Sequence, residues 1–425
     1  MKGILTKWNT WWDIGKVPEN KKLILREDVL DRLKRLLPSK EVLILTGVRR
    51  SGKSTIIYQL IDFLLKSVSA KNILYFNFDE PLQEKSIKTI EAVFSEFLKI
   101  NNPKGRKYVF FDEIQTISGW EKWIKKYYDL HGKDIKFLIT GSNNSMLSSN
   151  LSKLLTGRIF TNNVFPLSFT EFLKFKGVKI KSLALQKEEI IHYFGEFLDK
   201  GGFPEVVLEK DDDVAEMRLK EYFDGILLRD VISSKNIRET AKLSELVHYL
   251  ITNVSTLFSY NKLANTVGIS LNSVKEYLSF LEDAYLLFQV NFFSYSVKKS
   301  IMIQMPRKIY CIDNGLRNAV SFRFSKDGGR LVENLVFIEL KRREKEVFYW
   351  KNSNEVDFVI KNKDDSLTAI NVSDTNDINK REIEGLLEFK KSFKRIEELL
   401  ILTNDTEKKE KGIKFVPVWK WLLGE

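Results

Sequence analysis

Two groups of residues in this chain have the types and spacing that phosphate chemistry needs. Gly47-Val48-Arg49-Arg50-Ser51-Gly52-Lys53-Ser54 fits the pattern GxxxxGK[ST], with Thr55 next in line. Glycines at those positions let the backbone curl until its N–H groups point at phosphate oxygens, and the N-terminus of a following helix adds partial positive charge. Lys53 then reaches the β- and γ-phosphates, and Ser54 offers its hydroxyl to Mg²⁺. Residues Gly47 to Thr55 are the expected nucleotide-binding stretch. The second group is Asp112-Glu113, two carboxylates directly after the apolar run Tyr108-Val109-Phe110-Phe111. Asp112 is expected to share Mg²⁺ with Ser54. Glu113 is expected to orient and deprotonate the attacking water.

Such groups meet only if buried strands carry them to one sheet edge. EVLIL (41–45) reads as the parallel strand before the loop, and residues 55–65 as the helix after it. NILYFNF (72–78), residues 108–113 and residues 136–140 read as further strands. The last runs into Gly141-Ser142-Asn143-Asn144, where Asn143, with Ser142 second, is placed to touch the γ-phosphate or the water; a plain turn is the alternative. Arg158, in LLTGRIF, is either an arginine finger completing a neighbour's site in a ring or an ordinary salt-bridged surface arginine. Trp8, Trp11 and Trp12 either stack on a base or pack against the body of the protein.

The chain has 425 residues and a formal net charge of +12, which suggests two or three domains and an anionic partner, most simply nucleic acid. The charge is uneven. Residues 331–425 hold 18 Lys/Arg against 19 Asp/Glu, whereas residues 286–330 hold eight basic and two acidic residues. Cys311 is the single cysteine, and His131, His192 and His248 are scattered, so neither a disulfide within the chain nor a Cys/His metal cluster is expected. The N-terminal stretch has no long apolar run and no 18 apolar residues are consecutive anywhere, so the expectation is a cytoplasmic protein without a membrane partner.

The chain resembles the archaeal and bacterial AAA+ ATPases whose loop reads G-x-R-R-x-G-K-[ST]. The matching pieces are GVRRSGKST, FFDEIQ, ITGSNNSML, LTGR, PLSFTEFL (166–173), GGFPEVV (201–207), KIYCIDNGL (308–316), GRLVENLVFIEL (329–340) and EVDFVI (355–360), in the family's order across most of the chain. The resemblance implies ATP as the nucleotide, an AAA+ core, then a winged helix and a degenerate nuclease-like domain. It also makes the Asn143 position that of the first sensor.

The residues after the core agree with that outline. Residues 166–240 read as helical, with a glycine-proline turn at GGFPE, and suit a helical lid. Leu243, Leu246, Val247, Leu250, Ile251 and Val254 follow helical spacing. A glycine-containing turn and a second helix from Leu271 to Asp283 complete a helix-turn-helix layout. In such a module the second helix presents Asn272, Ser273 and Lys275 to DNA, and Lys298 and Lys299 on the wing contact phosphates; packing or protein interaction is the alternative. In the tail, Glu333 on a helix and Asp357 on a strand precede a third strand, the order of PD-(D/E)XK nucleases. That third strand carries Asn371-Val372-Ser373, an amide for the acid and no lysine, so the nuclease site is expected to be degenerate and inactive.

The reading is therefore an α/β protein with an AAA+ P-loop parallel sheet. Residues 1–165 form the ATPase core, 166–240 the helical lid, 241–305 a winged-helix domain and 306–425 a nuclease-like domain. The expected function is a Mg²⁺-dependent ATPase that binds and remodels DNA in junction processing, repair or mobile-element handling, as a homo-oligomer and possibly a hexameric ring. The alternatives are a regulatory nucleotide switch recruiting protein partners, or a metal-dependent nuclease.

Overall fold

Strand β1, Val42–Thr46, is buried along its whole length, and its side chains alternate between two cores. Val42 and Ile44 join one, Leu43 and Leu45 the other. A strand buried on both faces belongs inside a parallel sheet covered on each side, and that is its place here. The computed structural model describes residues 1–81, 84–144, 154–296, 305–321 and 328–424. The chain separates into two compact units, Met1–Val164 and Phe165–Glu425.

In the first unit, helix α1 (Glu27–Leu36) precedes β1, and helix α2 (Lys53–Leu64) follows the glycine-rich loop. Then come β2 (Ile73–Asn77), α3 (Ile87–Asn101), β3 (Lys107–Asp112), α4 (Trp120–His131), β4 (Ile135–Gly141) and β5 (Ile159–Asn163). The five strands are parallel in the order β2-β3-β4-β1-β5. Helices α3 and α4 cover one face through Ile90, Phe94, Trp123 and Ile124, and α1 and α2 cover the other through Leu33, Ile56, Leu60 and Ile61. The strand carrying the paired acids is thus not beside β1, because β4 lies between them.

The edge strand β2 has free backbone groups, which the N-terminal segment takes up. The Asn9 amide donates to Tyr75 O at 2.8 Å and accepts from Tyr75 N at 2.7 Å. Trp11 and Trp12 donate their indole N–H groups to Ile73 O at 3.3 and 2.8 Å. Trp11 is fully buried. The tryptophans therefore pack against the body of the unit, where they protect an edge that would otherwise template strand addition.

In the second unit, Ser168 caps helix α5 (Phe169–Phe175) in a reciprocal capping box with Glu171. Helices α6 (Lys187–Lys200), α7 (Pro204–Leu208) and α8 (Asp212–Gly225) lead into a π-helix, Ile226–Ser233. Helix α9 (Thr240–Thr252), the short β6 (Leu257–Phe258), α10 (Tyr260–Val267), α11 (Leu271–Asp283), β7 (Leu287–Phe292) and β8 (Arg307–Cys311) follow. Last come α12 (Asn314–Val320), α13 (Gly328–Arg342), β9 (Val347–Lys351), β10 (Glu355–Lys361), β11 (Leu367–Val372), α14 (Lys380–Ser392), β12 (Ile396–Thr403), β13 (Lys408–Glu410), β14 (Ile413–Pro417) and α15 (Val418–Leu422).

Nine of these strands form one mixed sheet in the order β13-β14-β12-β11-β10-β9-β7-β8-β6. The expected boundary at 305/306 falls between β7 and β8, which pair antiparallel, while β7 also pairs parallel with β9. Backbone ladders therefore run straight through that point. Residues 166–240 also pack inside this unit. Asp313 caps α12 through Leu316 N at 2.9 Å and accepts from Gly202 N at 2.7 Å. A Cβ on Gly201 would lie 2.0 Å from Asp313 Oδ1, and one on Gly315 would lie 2.0 Å from Lys200 O. The GGFPE and CIDNGL stretches are thus two sides of one tight joint.

Candidate functional site

The glycine-rich loop is shaped by close backbone approach. Gly47 has φ +146°, and a Cβ there would meet Val164 O at 2.1 Å, because Val164 N donates to Thr46 O at 2.7 Å. Gly52, with φ +95°, starts α2, and Arg50 is left-handed at φ 68°. The Lys53 ammonium is buried and curls back over the loop, donating to Gly47 O at 2.8 Å and Val48 O at 3.1 Å. Arg49 pairs with Asp79 at 3.2 Å. A support that sequence reasoning missed is Arg26. It is buried, donates from its guanidinium to Ser51 O at 2.8 Å, and donates its backbone N–H to Gln59 at 3.3 Å. Nothing in its local sequence marks it.

The acids at the end of β3 meet this loop directly. Asp112 Oδ2 accepts from the Ser54 hydroxyl at 2.6 Å and from Tyr75 at 2.8 Å, while Oδ1 accepts from Thr140. Burial holds the Tyr75 phenol far above its usual range, with the Asp112 charge adding to the effect, so Tyr75 stays a donor. Glu113 is buried and left-handed at φ 51°, and its N–H donates to Thr140 at 3.0 Å. Its carboxylate accepts from Gln115 Nε2 at 2.5 Å, and the same nitrogen reaches Ser142 at 3.3 Å. Burial raises the Glu113 carboxyl above the ordinary carboxylate range and Asp112 adds to this; Lys53, Arg49 and Gln115 pull the other way.

The fit to a nucleotide and Mg²⁺ rests on this donor set. A loop that excludes any Cβ at Gly47, the Ser51 hydroxyl buried without a hydrogen-bond partner among the described residues, an ammonium on the loop, and a hydroxyl–carboxylate pair together suit a nucleotide phosphate chain with a hard cation. Ser54 and Asp112 form the hydroxyl–carboxylate pair of that set. Asn143 lies buried just past β4. Arg158 is salt-bridged to Asp129 at 2.6 Å and lies 5.4 Å from the Tyr128 ring centroid, within its own unit.

In the second unit, Asn272 is exposed and Lys275 half-buried on α11. Ser273 is occupied in the helix cap, where its N–H and hydroxyl lie 3.0 and 2.9 Å from Ser270 Oγ. Lys298 and Lys299 lie outside the described residues. Within the basic stretch 286–330, Lys308 and Arg317 are 1% and 3% exposed.

Glu333 and Asp357 line a polar cleft of about 620 Å³. Asp357 sits at a register shift between β9 and β10, a bulge of the kind that re-aims a side chain. Asn371, on β11, is fully buried and uses both ends of its amide. It accepts from Asp357 N at 3.0 Å and donates to Glu382 O at 3.0 Å and Glu355 O at 3.3 Å. A carboxylate accepts only and cannot make that clamp. The lysine absent from β11 has a counterpart elsewhere: Lys308, on β8, contacts Glu333, Glu355 and Asp357. No local pattern around Lys308 indicates that β8 reaches this place.

Among the described residues no helix is long and apolar enough to cross a membrane. The model of an AAA domain matches residues 39–173, and two domains of unknown function, DUF8612 and DUF4143, match residues 191–327 and 328–421. The chain is 35% identical to the uncharacterized protein MJ1544 of Methanocaldococcus jannaschii, over 95% of this chain and 96% of that one. It is 32% identical to an uncharacterized protein of Haemophilus influenzae, over 95% of this chain and all of the relative. Among solved structures, the Walker-type ATPase PABY2304 of Pyrococcus abyssi aligns with a TM-score of 0.47 at 15% identity, covering 73% of this chain and 99% of that one. With a P-loop between β1 and α2 and paired acids ending β3, the chain belongs to the protein family of MJ1544 and carries an AAA-type P-loop domain.

Proposed function

We propose that the protein hydrolyses ATP with Mg²⁺ in its first unit and uses the cycle to remodel DNA or DNA–protein complexes through its second. One observation carries the hydrolytic half: Ser54 and Asp112, 58 positions apart, are in hydrogen-bond contact beside Lys53 and Glu113. In this reading the loop N–H groups and Lys53 bind the phosphates. Mg²⁺, when bound, offsets phosphate charge, and Ser54 and Asp112 hold it. Glu113 takes the proton of the attacking water, and a raised carboxyl is the better base near neutrality. The Asn143 amide orients that water. Arg158 reaches a neighbouring copy only by releasing Asp129, which a ring assembly requires.

The DNA half is supported by the net charge of +12 and by the order helix, short strand, two helices and a β7–β8 hairpin, which suits a winged helix offering Asn272 and Lys275. The order α13, β9, β10, β11, α14, β12 suits a nuclease-like domain. The deciding experiment is the ATPase rate with and without duplex, single-stranded and four-way-junction DNA, with Lys53→Ala as control. Stimulation by DNA that weakens with salt supports the reading. DNA-independent hydrolysis would sink its second half.

A second reading, a nucleotide switch acting on a protein partner, is favoured by the burial of Lys308 and Arg317 and by the Arg158–Asp129 pair. Unchanged hydrolysis in Arg158→Ala, on a chain that stays monomeric in sedimentation, would select it.

A further inference from the structure

We infer that the Lys308 ammonium fills the place a divalent cation would take between Glu333 and Asp357, as a built-in counter-ion that closes the cleft of the second unit to metal. The inference is independent of the ATPase reading. Glu333 from α13 and Glu355 and Asp357 from β10 converge on one nitrogen: Lys308 Nζ lies 2.9 Å from Glu333 Oε1, 2.8 Å from Glu355 Oε1 and 2.8 Å from Asp357 Oδ1. An ammonium has three donors and no acceptor, so these contacts saturate it. The side chain is 1% exposed, and a buried cation requires such partners.

The oxygens facing the cleft are also largely used. Asp357 Oδ2 accepts from Val372 N at 3.0 Å, and Glu355 Oε2 pairs with Lys351 at 3.1 Å. Glu333 Oε1 additionally accepts from Tyr310 at 2.6 Å. Lys308 and Tyr310 share one face of β8 by the two-residue strand period, so this strand delivers both donors together. A divalent ion needs the same carboxylate oxygens at about 2.0–2.6 Å, within the space the ammonium fills. Two cations there would repel at contact distance. Asn371 closes the other route, because its amide is committed to the backbone clamp. Among the described residues no group of three or more His, Cys, Asp or Glu is arranged to hold a metal ion.

The test measures Mn²⁺ uptake by the full chain without nucleotide, in a Ser54→Ala background that removes the P-loop's metal ligand. Electron paramagnetic resonance reports free Mn²⁺, and thermal unfolding runs alongside. The Ser54→Ala chain alone should leave the Mn²⁺ signal undiminished and show no shift in melting temperature. Adding Lys308→Met, which removes the charge at similar volume, should lower the melting temperature in chelator, and Mn²⁺ should restore it with loss of about one ion's worth of free signal per chain. If that variant is recovered only with metal, Lys308→Met/Glu355→Gln, with fewer unpaired acids, is measured instead. Mn²⁺ uptake by the chain with Lys308 intact that Asp357→Asn abolishes would overturn the inference. So would Mn²⁺-dependent DNA cleavage lost in the same variant, or a folded Lys308→Met chain that ignores metal.

Discussion

The Ser54 hydroxyl, in the first turn of α2, donates to Asp112 Oδ2 at 2.6 Å, although β4 lies between β3, which ends in Asp112, and β1, which leads into the loop before Ser54. Thr140, on β4, donates to the other Asp112 oxygen. In the proposed reading this pair parts around Mg²⁺. Ser54→Ala should therefore leave the fold intact and cut Mg²⁺-dependent turnover by at least about a hundredfold, the scale of losing one preorganised charge-stabilising ligand. Steady-state hydrolysis across a Mg²⁺ titration checks this.

Glu113 gives two linked expectations. Glu113→Gln should retain nucleotide binding and reduce turnover by roughly 10²- to 10⁴-fold, the usual share of a general base. The carboxyl is raised by burial, so the folded unit holds a proton that the unfolded chain releases. Its stabilising contribution is complete in acid and is lost as pH rises through the folded value. Glu113→Gln should accordingly raise the melting temperature at pH 8 and leave it little changed at pH 4. Equal shifts at both pH values would refute the assignment.

Gly47→Ala should be severe. Its Cβ would sit 2.1 Å from Val164 O, at φ +146°, so both the backbone angle and the loop-to-strand contact must give way. A loss of about 3 kcal/mol or more is expected, together with loss of nucleotide binding. Chemical denaturation and a fluorescent-nucleotide titration measure the two effects.

Asn9→Leu tests the covered edge. It leaves the Tyr75 N–H and C=O without their partner, at about 1–3 kcal/mol for each buried group, and reopens β2 to strand addition. Reduced stability accompanied by concentration-dependent aggregation is the expected result. A stable monomer would show that the indole contacts at Ile73 suffice.

Local order along the chain was enough to reveal the phosphate loop, the paired acids after Phe111 and the strands before them. Those signals lie within a few residues of each other: glycines at fixed offsets, a β-branched apolar run, and acids at its end. The same holds for the turn at GGFPE and for the helices at 240–252 and 271–283, where helical periodicity is a local property, whereas the reading does not separate out the short helix Tyr260–Val267 between them.

What the folded chain alone decided are contacts between residues far apart in sequence, for which no local pattern exists. Arg26 beneath Ser51, Asn9 on the edge of β2 and Asp313 against Gly202 join segments 25, 66 and 111 positions apart. Two of the eight basic residues counted in 286–330, Lys308 and Arg317, are buried, and a charge count carries no information about direction. Lys308 is the sharpest instance. Its neighbours in sequence are an ordinary strand, and only the pairing of β8 in the nine-stranded sheet sets its buried ammonium among Glu333, Glu355 and Asp357.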